Sequence, residues 1–446
     1  MLDALCCLHK PRRKEPRMEL NTRLDRDRFT WMSRDLTSSD RASMLVEVTA
    51  PALPHQERTV PTNLVVVLDR SGSMGGARIE QAKKALCAVV DQLAPGDTFG
   101  LVTFDDQVEV PVPAGPVIDR DAVKRRINAV AARGMTDLSA GLVRGLKEAR
   151  RIEALEGVRV LLVSDGHANA GVTDPVVLGR RTAEFLEHRI TTSTLGMGLG
   201  YDETVLDEIA RQGSGNEHFA QEADAAAAAI GAECGELLGQ RFLSCRLTVA
   251  LGNGVREVRV LNEVASREVE GGVQIELGSF SPEQTKSLVL QFDPKRAPKP
   301  GRRKVAGVRF TYVLADDLTD HAVSHTVWAH IAGPDDRPGK VDRDVMAEVV
   351  FQGVQRHKRR ATDALQYGDL EAARRRYARA LRTIRRHLPE VPRNRRSEFE
   401  ADLAFIGDAL ARLDAPTSDG VAFIGKSMTA SLAHNSRTRD RRRPSA

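Results

Sequence analysis

The chain has 446 residues, more than one hydrophobic core usually holds, so we expect two or three domains. Aromatic residues make up only 4% of it, which argues against a stacking surface for single-stranded nucleic acid. The formal net charge is +5, with basic stretches at 9–17, 356–360, 374–386 and 437–443. Such stretches are typical of solvated tails and helix faces; the alternative is a surface for an acidic partner, a membrane or nucleic acid.

The cysteine content and the hydropathy of the sequence indicate in which cellular compartment the protein is located. The chain has five cysteines, an odd number, and their spacing does not match a disulfide framework. This fits reduced thiols and a cytoplasmic location. No apolar run is long enough for a membrane span. The start of the chain does not have the pattern of a signal peptide, because its short apolar stretch contains Asp3 and precedes the basic residues.

The first 61 residues contain one clear strand pattern. We expect residues 1–18 to be a disordered basic segment, with either Met1 or Met18 as the translation start. Residues 43–50 alternate apolar and polar side chains, as a strand does. Because they have no place in the parallel sheet predicted next, we assign residues 19–61 to the β-sandwich predicted further along the chain.

Residues 62–240 alternate apolar strands with amphipathic helices. The strand patterns are 63–69, 99–104, 158–165, 190–198 and 217–220, and the last helix pattern is 222–239. Continuous apolar runs such as NLVVVLD are typical of strands covered on both faces. The alternation predicts an α/β, Rossmann-like domain, with a mostly parallel sheet and helices on both faces.

From residue 241 the apolar period changes to two. The strand patterns are 241–251, 255–261, 272–278, 286–293, 306–315 and 321–331. They predict a β-sandwich over residues 241–333, into which the α/β domain is inserted.

The end of the chain changes character again. Residues 342–413 predict a helical region that begins with a hairpin joined at Tyr367-Gly368-Asp369, similar to one tetratricopeptide unit. A single hairpin of this kind cannot bury its own face, so it must pack on another element. We expect residues 414–446 to be a disordered basic tail.

Polar residues follow the strands of the α/β domain at three places. Asp69-Arg70-Ser71-Gly72-Ser73 follows the first buried strand, Thr136 precedes a helix, and Asp165 ends a third apolar strand. In open parallel sheets, ligands bind at the carboxyl edge of the strands. We therefore expect Asp69, Ser71, Ser73, Thr136 and Asp165 to meet at this edge.

These five side chains offer only oxygen atoms. Hard divalent cations prefer oxygen ligands, so the set predicts a site for Mg²⁺ or Mn²⁺, with Ca²⁺ less favoured. If the carboxylates act through water, the metal keeps most of its positive charge. It can then take a carboxylate from a partner protein into its coordination shell.

With these motifs in order, residues 62–240 resemble a von Willebrand factor A domain with a metal-dependent adhesion site. The resemblance implies that Ser71, Ser73 and Thr136 bind the metal directly, and that Asp69 and Asp165 bind it mainly through water. The whole layout also resembles soluble bacterial members of this family. We expect four neighbours of the metal site to contact the partner, namely Met74, Asp137, Gly166 and His167.

Other patterns are less persuasive. Gly196-Met197-Gly198-Leu199-Gly200 lacks the spacing of a phosphate cradle, and no nucleophile elbow or nucleotide-binding lysine motif is present. His321, His325 and His330 share one strand pattern, but the third points away from the first two.

The sequence predicts a cytoplasmic module that binds a protein partner through a divalent cation and is not an enzyme. One alternative is a scaffold or chaperone-like factor that acts with an ATPase or inside a larger complex. A metal-dependent hydrolase that uses His167 or Asp137 is less favoured, and we do not expect nucleic acid as a partner.

Overall fold

In the computed structural model, the described residues are 17–29, 41–53, 61–152, 157–166, 169–295, 300–315, 318–332, 336–337, 339–436 and 439–442. They form an α/β domain, a β-sandwich and a helical region. The predicted fold class is confirmed. Within the described residues, no helix is both long and apolar enough to cross a membrane.

The β-sandwich takes its strands from both sides of the α/β domain in sequence. One sheet has the order β1-β3-β14-β11, with β17 also paired to β14, and the other has the order β12-β13-β10-β15-β16-β2. The strands are β1 (Glu19–Leu24), β2 (Arg28–Phe29), β3 (Ala42–Thr49), β10 (Phe242–Leu251), β11 (Val255–Val260), β12 (Ser266–Val269), β13 (Gly272–Phe280), β14 (Gln284–Pro294), β15 (Gly301–Leu314), β16 (Thr319–Ile331) and β17 (Arg439–Arg442). Apolar side chains of the two sheets form one core between them.

Strand β3 completes the sandwich from the N-terminal side. It pairs antiparallel with β14, where Val46 lies opposite Leu288, and also with β1. Its outward side chain Leu45 is buried too, because it packs with Val289 and with Val345 of the first C-terminal helix. The alternating pattern of this strand therefore has both faces covered, one by the second sheet and one by a helix.

The α/β domain contains a six-stranded sheet in the order β6-β5-β4-β7-β8-β9. Its strands are β4 (Asn63–Asp69), β5 (Thr98–Phe104), β6 (Val108–Pro116), β7 (Val158–Ser164), β8 (Ile190–Met197) and β9 (Ser214–Ala220). All neighbours are parallel except β6, which runs antiparallel to β5 at the edge. The sequence did not predict β6, whose three prolines (Pro111, Pro113 and Pro116) are tolerated because it is an edge strand.

Helices cover both faces of this sheet. They are α1 (Ala77–Gln92), α2 (Arg120–Asn128), α3 (Leu138–Arg150), α4 (Pro175–Glu184), α5 (Glu203–Gln212) and α6 (Ala223–Leu238). Helices α1, α2 and α6 pack on one face, and α3, α4 and α5 on the other. The central strands β4, β5 and β7 are buried along their whole length.

The helical region is longer than predicted. Its helices are α7 (Arg343–Gln366), α8 (Leu370–His387), α9 (Arg396–Asp414) and α10 (Ser418–Ser436). The prediction of a disordered tail from residue 414 is wrong over α10, which buries Ile424, Met428 and Leu432 against the other helices, and over β17, which pairs with β14. The basic residues after 436 concealed this apolar pattern.

The predicted disordered N-terminal segment lies mostly outside the described residues, which begin at Arg17. Met18 is buried in the sandwich core, and its backbone N–H donates to the Tyr312 hydroxyl at 3.4 Å. The ordered sandwich therefore includes Met18.

Candidate metal site

Three loops meet at the carboxyl edge of the α/β sheet. Strand β4 ends at Asp69 and continues into a short 3-10 turn, Gly72–Met74. Strand β7 is the parallel neighbour of β4, with Leu68 opposite Val163, so Asp165 follows at the same edge. The third loop is tied to the first by a hydrogen bond from Gly72 N–H to the Gly134 carbonyl at 3.1 Å.

Asp69 is fully buried, and both of its carboxylate oxygens accept hydrogen bonds. The backbone N–H of Ser71 donates to Oδ1 at 2.7 Å, and the Ser164 hydroxyl donates to Oδ2 at 2.6 Å. These bonds fix the carboxylate at the floor of the site. Ser164 was not among the predicted site residues, although it directly precedes Asp165.

The two motif serines connect this floor to Asp165. Ser73 Oγ lies 3.0 Å from Ser71 Oγ and donates to Asp165 Oδ1 at 2.7 Å. Ser71 and Asp165 are buried, whereas Ser73 is exposed. The hydroxyl of Ser73 therefore lies at the rim of the site, where a ligand from solvent can reach it.

Thr136 reaches the same place from the third loop. A Cβ built on Gly166 would lie 3.3 Å from Thr136 Oγ1 and 3.5 Å from Ser73 Oγ. A side chain at Gly166 would therefore crowd both hydroxyls, and glycine leaves this space open. The backbone of Thr136 is held by Asn169, whose side-chain oxygen accepts from the Thr136 N–H at 3.0 Å.

The structure therefore brings all five predicted ligands to one sheet edge. The donor set fits a hard divalent cation, because it contains two buried carboxylates and three hydroxyls with no thiolate or imidazole. Within the described part of the chain, no group of three or more His, Cys, Asp or Glu residues is placed to hold a metal. A cation at this edge would depend on the hydroxyls.

The electrostatics of the site also favour a cation. Burial raises the pKa of Asp69 to about 6, and the nearby charge of Asp165 adds to this, although hydrogen bonds from Ser164 and Ser71 oppose it. A positive ion between the two carboxylates would stabilise the charged form of Asp69 against its burial and against the negative charge of Asp165.

Arg78 already neutralises part of this charge. Its Nη1 donates to Asp165 Oδ2 at 2.6 Å and to the Ser73 carbonyl at 3.1 Å. Arg78 lies in the first turn of α1, where its charge opposes the helix dipole, and the ion pair with Asp165 compensates for this position.

A second ion-pair network holds the loop from outside. Arg70, the second residue of the first motif, points away from the site and pairs with Asp105 at 3.1 Å and with Glu109 at 2.8 Å. Arg133 pairs with the same two carboxylates, and its backbone N–H donates to the Arg70 carbonyl at 2.7 Å. These contacts join the loop of Ser71 to the loop of Thr136.

The four predicted partner-contact residues have different environments. Gly166 lies at the site as expected, and His167 lies outside the described residues. Asp137 is the N-cap of α3, because its side chain accepts from the Ala140 N–H. Met74 is fully buried under α1, so it cannot contact a partner; the exposed apolar residue beside the site is Met135. The 3-10 turn directs the Met74 side chain into the core.

Comparison with known families identifies the domain that carries this site. The family model for the von Willebrand factor type A domain matches residues 64–167. The chain contains a von Willebrand factor type A domain. The matched range includes β4, the site loops and β7, and ends just after Asp165.

One sequence relative of this domain is an uncharacterised protein of Synechocystis. It is 29% identical over 179 residues, which cover 40% of this chain and 42% of that protein. The chain thus matches less than half of the length of this relative, and the likeness concerns one domain of each.

Two solved structures share the fold of almost the whole chain. A von Willebrand factor type A protein from Catenulispora acidiphila has a TM-score of 0.73 at 16% identity and covers 94% of this chain and 98% of its own. The ArnB paralog VWA2 from Sulfolobus acidocaldarius has a TM-score of 0.60 at 16% identity and covers 93% and 99%. At this identity the likeness shows that the architecture is shared.

Proposed function

We propose that the A domain binds Mg²⁺ or Mn²⁺, with Ca²⁺ less favoured, and through it a carboxylate of a protein partner. The observation that carries this proposal is a row of carboxylate and hydroxyl side chains, linked by hydrogen bonds, at one edge of the sheet. It runs from Asp69 through Ser71 and Ser73 to Asp165, with the Thr136 hydroxyl across Gly166.

Each side chain would have a defined role. The hydroxyls of Ser71, Ser73 and Thr136 would hold the ion directly, as the family resemblance implies, and Asp69 and Asp165 would hold it through water. The bound ion would supply an exposed positive centre for an external carboxylate. Ser73 at the rim and the exposed Met135 would lie next to that carboxylate.

The proposal assigns binding rather than catalysis. Catalysis needs a positioned base or nucleophile besides a metal. Ser164 donates to Asp69 and Asp137 caps α3, so both are engaged in structural contacts. We also propose a cytoplasmic location, which is consistent with the three described cysteines (Cys87, Cys234 and Cys245) being free.

A pulldown from source-cell lysate tests the proposal. The tagged full chain is incubated in Mg²⁺ and in EDTA, beside a Ser73→Ala variant and a Ser324→Ala control. Ser324 is an exposed serine of β16, so its loss removes the same hydroxyl from a distant surface. We expect a protein that is retained in Mg²⁺ by the wild type and the Ser324→Ala control.

That protein should be lost in EDTA and with Ser73→Ala. If the same proteins are retained in every arm, the metal site is not the contact and the proposal is wrong. Circular dichroism of Ser73→Ala shows that a loss is not due to unfolding.

A further inference from the structure

Helices α7 and α8 together display a dense group of arginines, which we call the arginine surface. It comprises seven residues from the two helices: Arg356, Arg360, Arg375, Arg376, Arg379, Arg382 and Arg386. All of them are exposed except Arg376, which is half-buried. The packing of α7 against α8 brings two basic stretches that are separate in the sequence onto one region of the molecule.

Four of these residues form a stripe along α8. Arg375, Arg379, Arg382 and Arg386 follow one another at intervals of four, three and four residues, which places them on one helix face. The opposite face holds the buried Ala373, Tyr377, Ala380 and Ile384. At 1.5 Å per residue the stripe is about 16 Å long.

The rest of the surface surrounds His357 of α7. Burial lowers the pKa of His357, and four positive charges lower it further, those of Arg379, Arg360, Arg376 and Arg356. These four arginines belong to both helices, which pack against each other. The Nδ1 atom of His357 is buried and has no hydrogen-bond partner among the described residues.

Among the described residues, none forms an ion pair or a hydrogen bond with the guanidinium group of any of the seven arginines. Many other arginines of the chain are paired; on the same helices, Arg374 pairs with Asp414 at 2.7 Å and Arg359 with Asp207 at 2.6 Å. The acidic groups beside these arginines include Glu371, which is exposed at the start of α8, Asp363, which is half-buried on α7, and Glu263, whose charge acts on Arg356. They are too few to balance seven positive charges.

This arrangement does not stabilise the fold. Like charges three or four residues apart on a helix repel each other, and the stripe repeats such pairs along its whole length. A helix face that only needs to be soluble usually mixes charges of both signs. The surface therefore has the properties of a binding site for a negatively charged partner.

We propose that the arginine surface is a docking site for an acidic segment of a protein partner. Each guanidinium group can bind a carboxylate with two parallel hydrogen bonds. The stripe presents four such groups to a segment about 16 Å long, which is about five extended residues. This contact is separate from the metal site and does not need a cation.

The side chains around the stripe favour a protein over nucleic acid or a membrane. Stacking of unpaired bases needs exposed aromatic side chains, but the one aromatic residue of α8, Tyr377, is fully buried. The exposed Tyr367 lies at the end of α7, beyond the N-terminal end of the stripe. Insertion into a membrane surface needs exposed apolar side chains, and none of the large exposed ones among the described residues belongs to α8.

A binding titration in EDTA tests this proposal without involving the metal site. The probe is a fluorescent peptide in which glutamates alternate with serines, and its anisotropy is followed as the full chain is added. The test variant is Arg375→Gln/Arg379→Gln/Arg382→Gln. The matched control, Arg125→Gln/Arg150→Gln/Arg180→Gln, removes the same net charge from exposed arginines of the A domain. A labelled DNA duplex and phosphatidylserine vesicles are titrated in parallel.

We expect the peptide to bind the wild type and the control equally, and the test variant at least about tenfold more weakly, because three charge-assisted contacts are removed. Equal weakening in both variants would show a general effect of net charge and overturn the proposal, as would no binding to the wild type. Tighter binding of the duplex or the vesicles, lost in the test variant alone, would assign the surface to that other partner and also overturn it. Equal thermal melting of the three proteins excludes a folding defect.

Discussion

At the scale of single residues, the site depends on short polar contacts that the motifs only partly encode. Asp69, Ser71, Ser73 and Asp165 could be predicted because they end or follow strands whose apolar runs are visible in the sequence, and Thr136 because it directly precedes a helix pattern. Ser164, Asn169 and Arg78 could not, because their roles arise from contacts between loops that are distant in sequence. Arg78 takes one oxygen of Asp165, so the charge available to a cation is smaller than the motif suggests.

Gly166 is the residue whose size matters most at the site. A methyl group there would lie 3.3 Å from Thr136 Oγ1 and 3.5 Å from Ser73 Oγ, and would occupy space beside both hydroxyls. We predict that Gly166→Ala weakens Mn²⁺ binding by about tenfold, which corresponds to about 1.4 kcal/mol. Isothermal titration calorimetry measures the change.

Gly231→Ala is the matched control, because a Cβ at this exposed position of α6 has no neighbour within 4 Å. Alanine should stabilise the helix slightly and leave Mn²⁺ affinity unchanged. Unaltered affinity in Gly166→Ala would mean that the ion does not lie between the two hydroxyls.

At the scale of elements, α6 is fixed to the sheet by a buried carboxylate. Glu233 accepts hydrogen bonds from Ser193 and His218 and pairs with Arg159 at 3.2 Å. Burial by itself raises the pKa of Glu233, but the hydrogen bond from His218 and the charge of Arg159 outweigh it and lower this pKa to about 2. The charged form is therefore the one that the fold stabilises.

This shift predicts a pH dependence of stability. The pKa of Glu233 is about 2 in the folded protein and near 4.5 when unfolded, so its contribution is complete above about 4.5 and is lost as the pH falls towards 2. The shift corresponds to a stability contribution of about 3 kcal/mol. We predict that Glu233→Gln lowers the urea midpoint at pH 7. We also predict that the midpoint of this variant falls less steeply than that of the wild type as the pH is lowered from about 4.5 to about 3.

Glu222→Gln serves as the control, since Glu222 is exposed just before the same helix. Its midpoint should follow that of the wild type at every pH. Parallel curves for Glu233→Gln and the wild type would show that Glu233 has the same pKa in the folded and unfolded chains.

The alternation of strands and helices and the change of period at residue 241 predicted the elements of two domains. Helix α10 was missed because its apolar residues are interrupted by glycine and polar residues and are followed by arginines. Its place is settled by distant contacts, such as that of the buried Lys426, which donates to Glu203 and to the Tyr201 carbonyl. Glu203 is the first residue of α5, so these contacts dock α10 on the A domain.

At the scale of the whole molecule, one arginine links the three parts. Arg359 of α7 pairs with Asp207 in the A domain at 2.6 Å and with Glu263 in the sandwich at 2.5 Å. The sequence pattern predicts that a helical region exists, but it does not predict how this region packs on the other two parts. The two carboxylates that pair with Arg359 lie 152 and 96 residues away in the sequence.

We predict that Arg359→Met lowers stability by about 3 kcal/mol, because it removes the buried guanidinium that pairs with two carboxylates. The urea midpoint, followed by tryptophan fluorescence and by circular dichroism, measures the loss. Arg180→Met, which removes an exposed guanidinium from α4, should have almost no effect. An equally small effect of both changes would show that Arg359 does not hold the parts together.

The most direct test of the account is a Mn²⁺ titration of the full chain, followed by electron paramagnetic resonance, with Mg²⁺ as competitor. We expect one tight Mn²⁺ ion per chain that Mg²⁺ displaces, retained in Ser324→Ala and at least about a hundredfold weaker in Asp69→Asn and Thr136→Val. Mn²⁺ binding that survives both substitutions, or no binding by the folded wild type, would contradict the metal site and the partner recognition that depends on it.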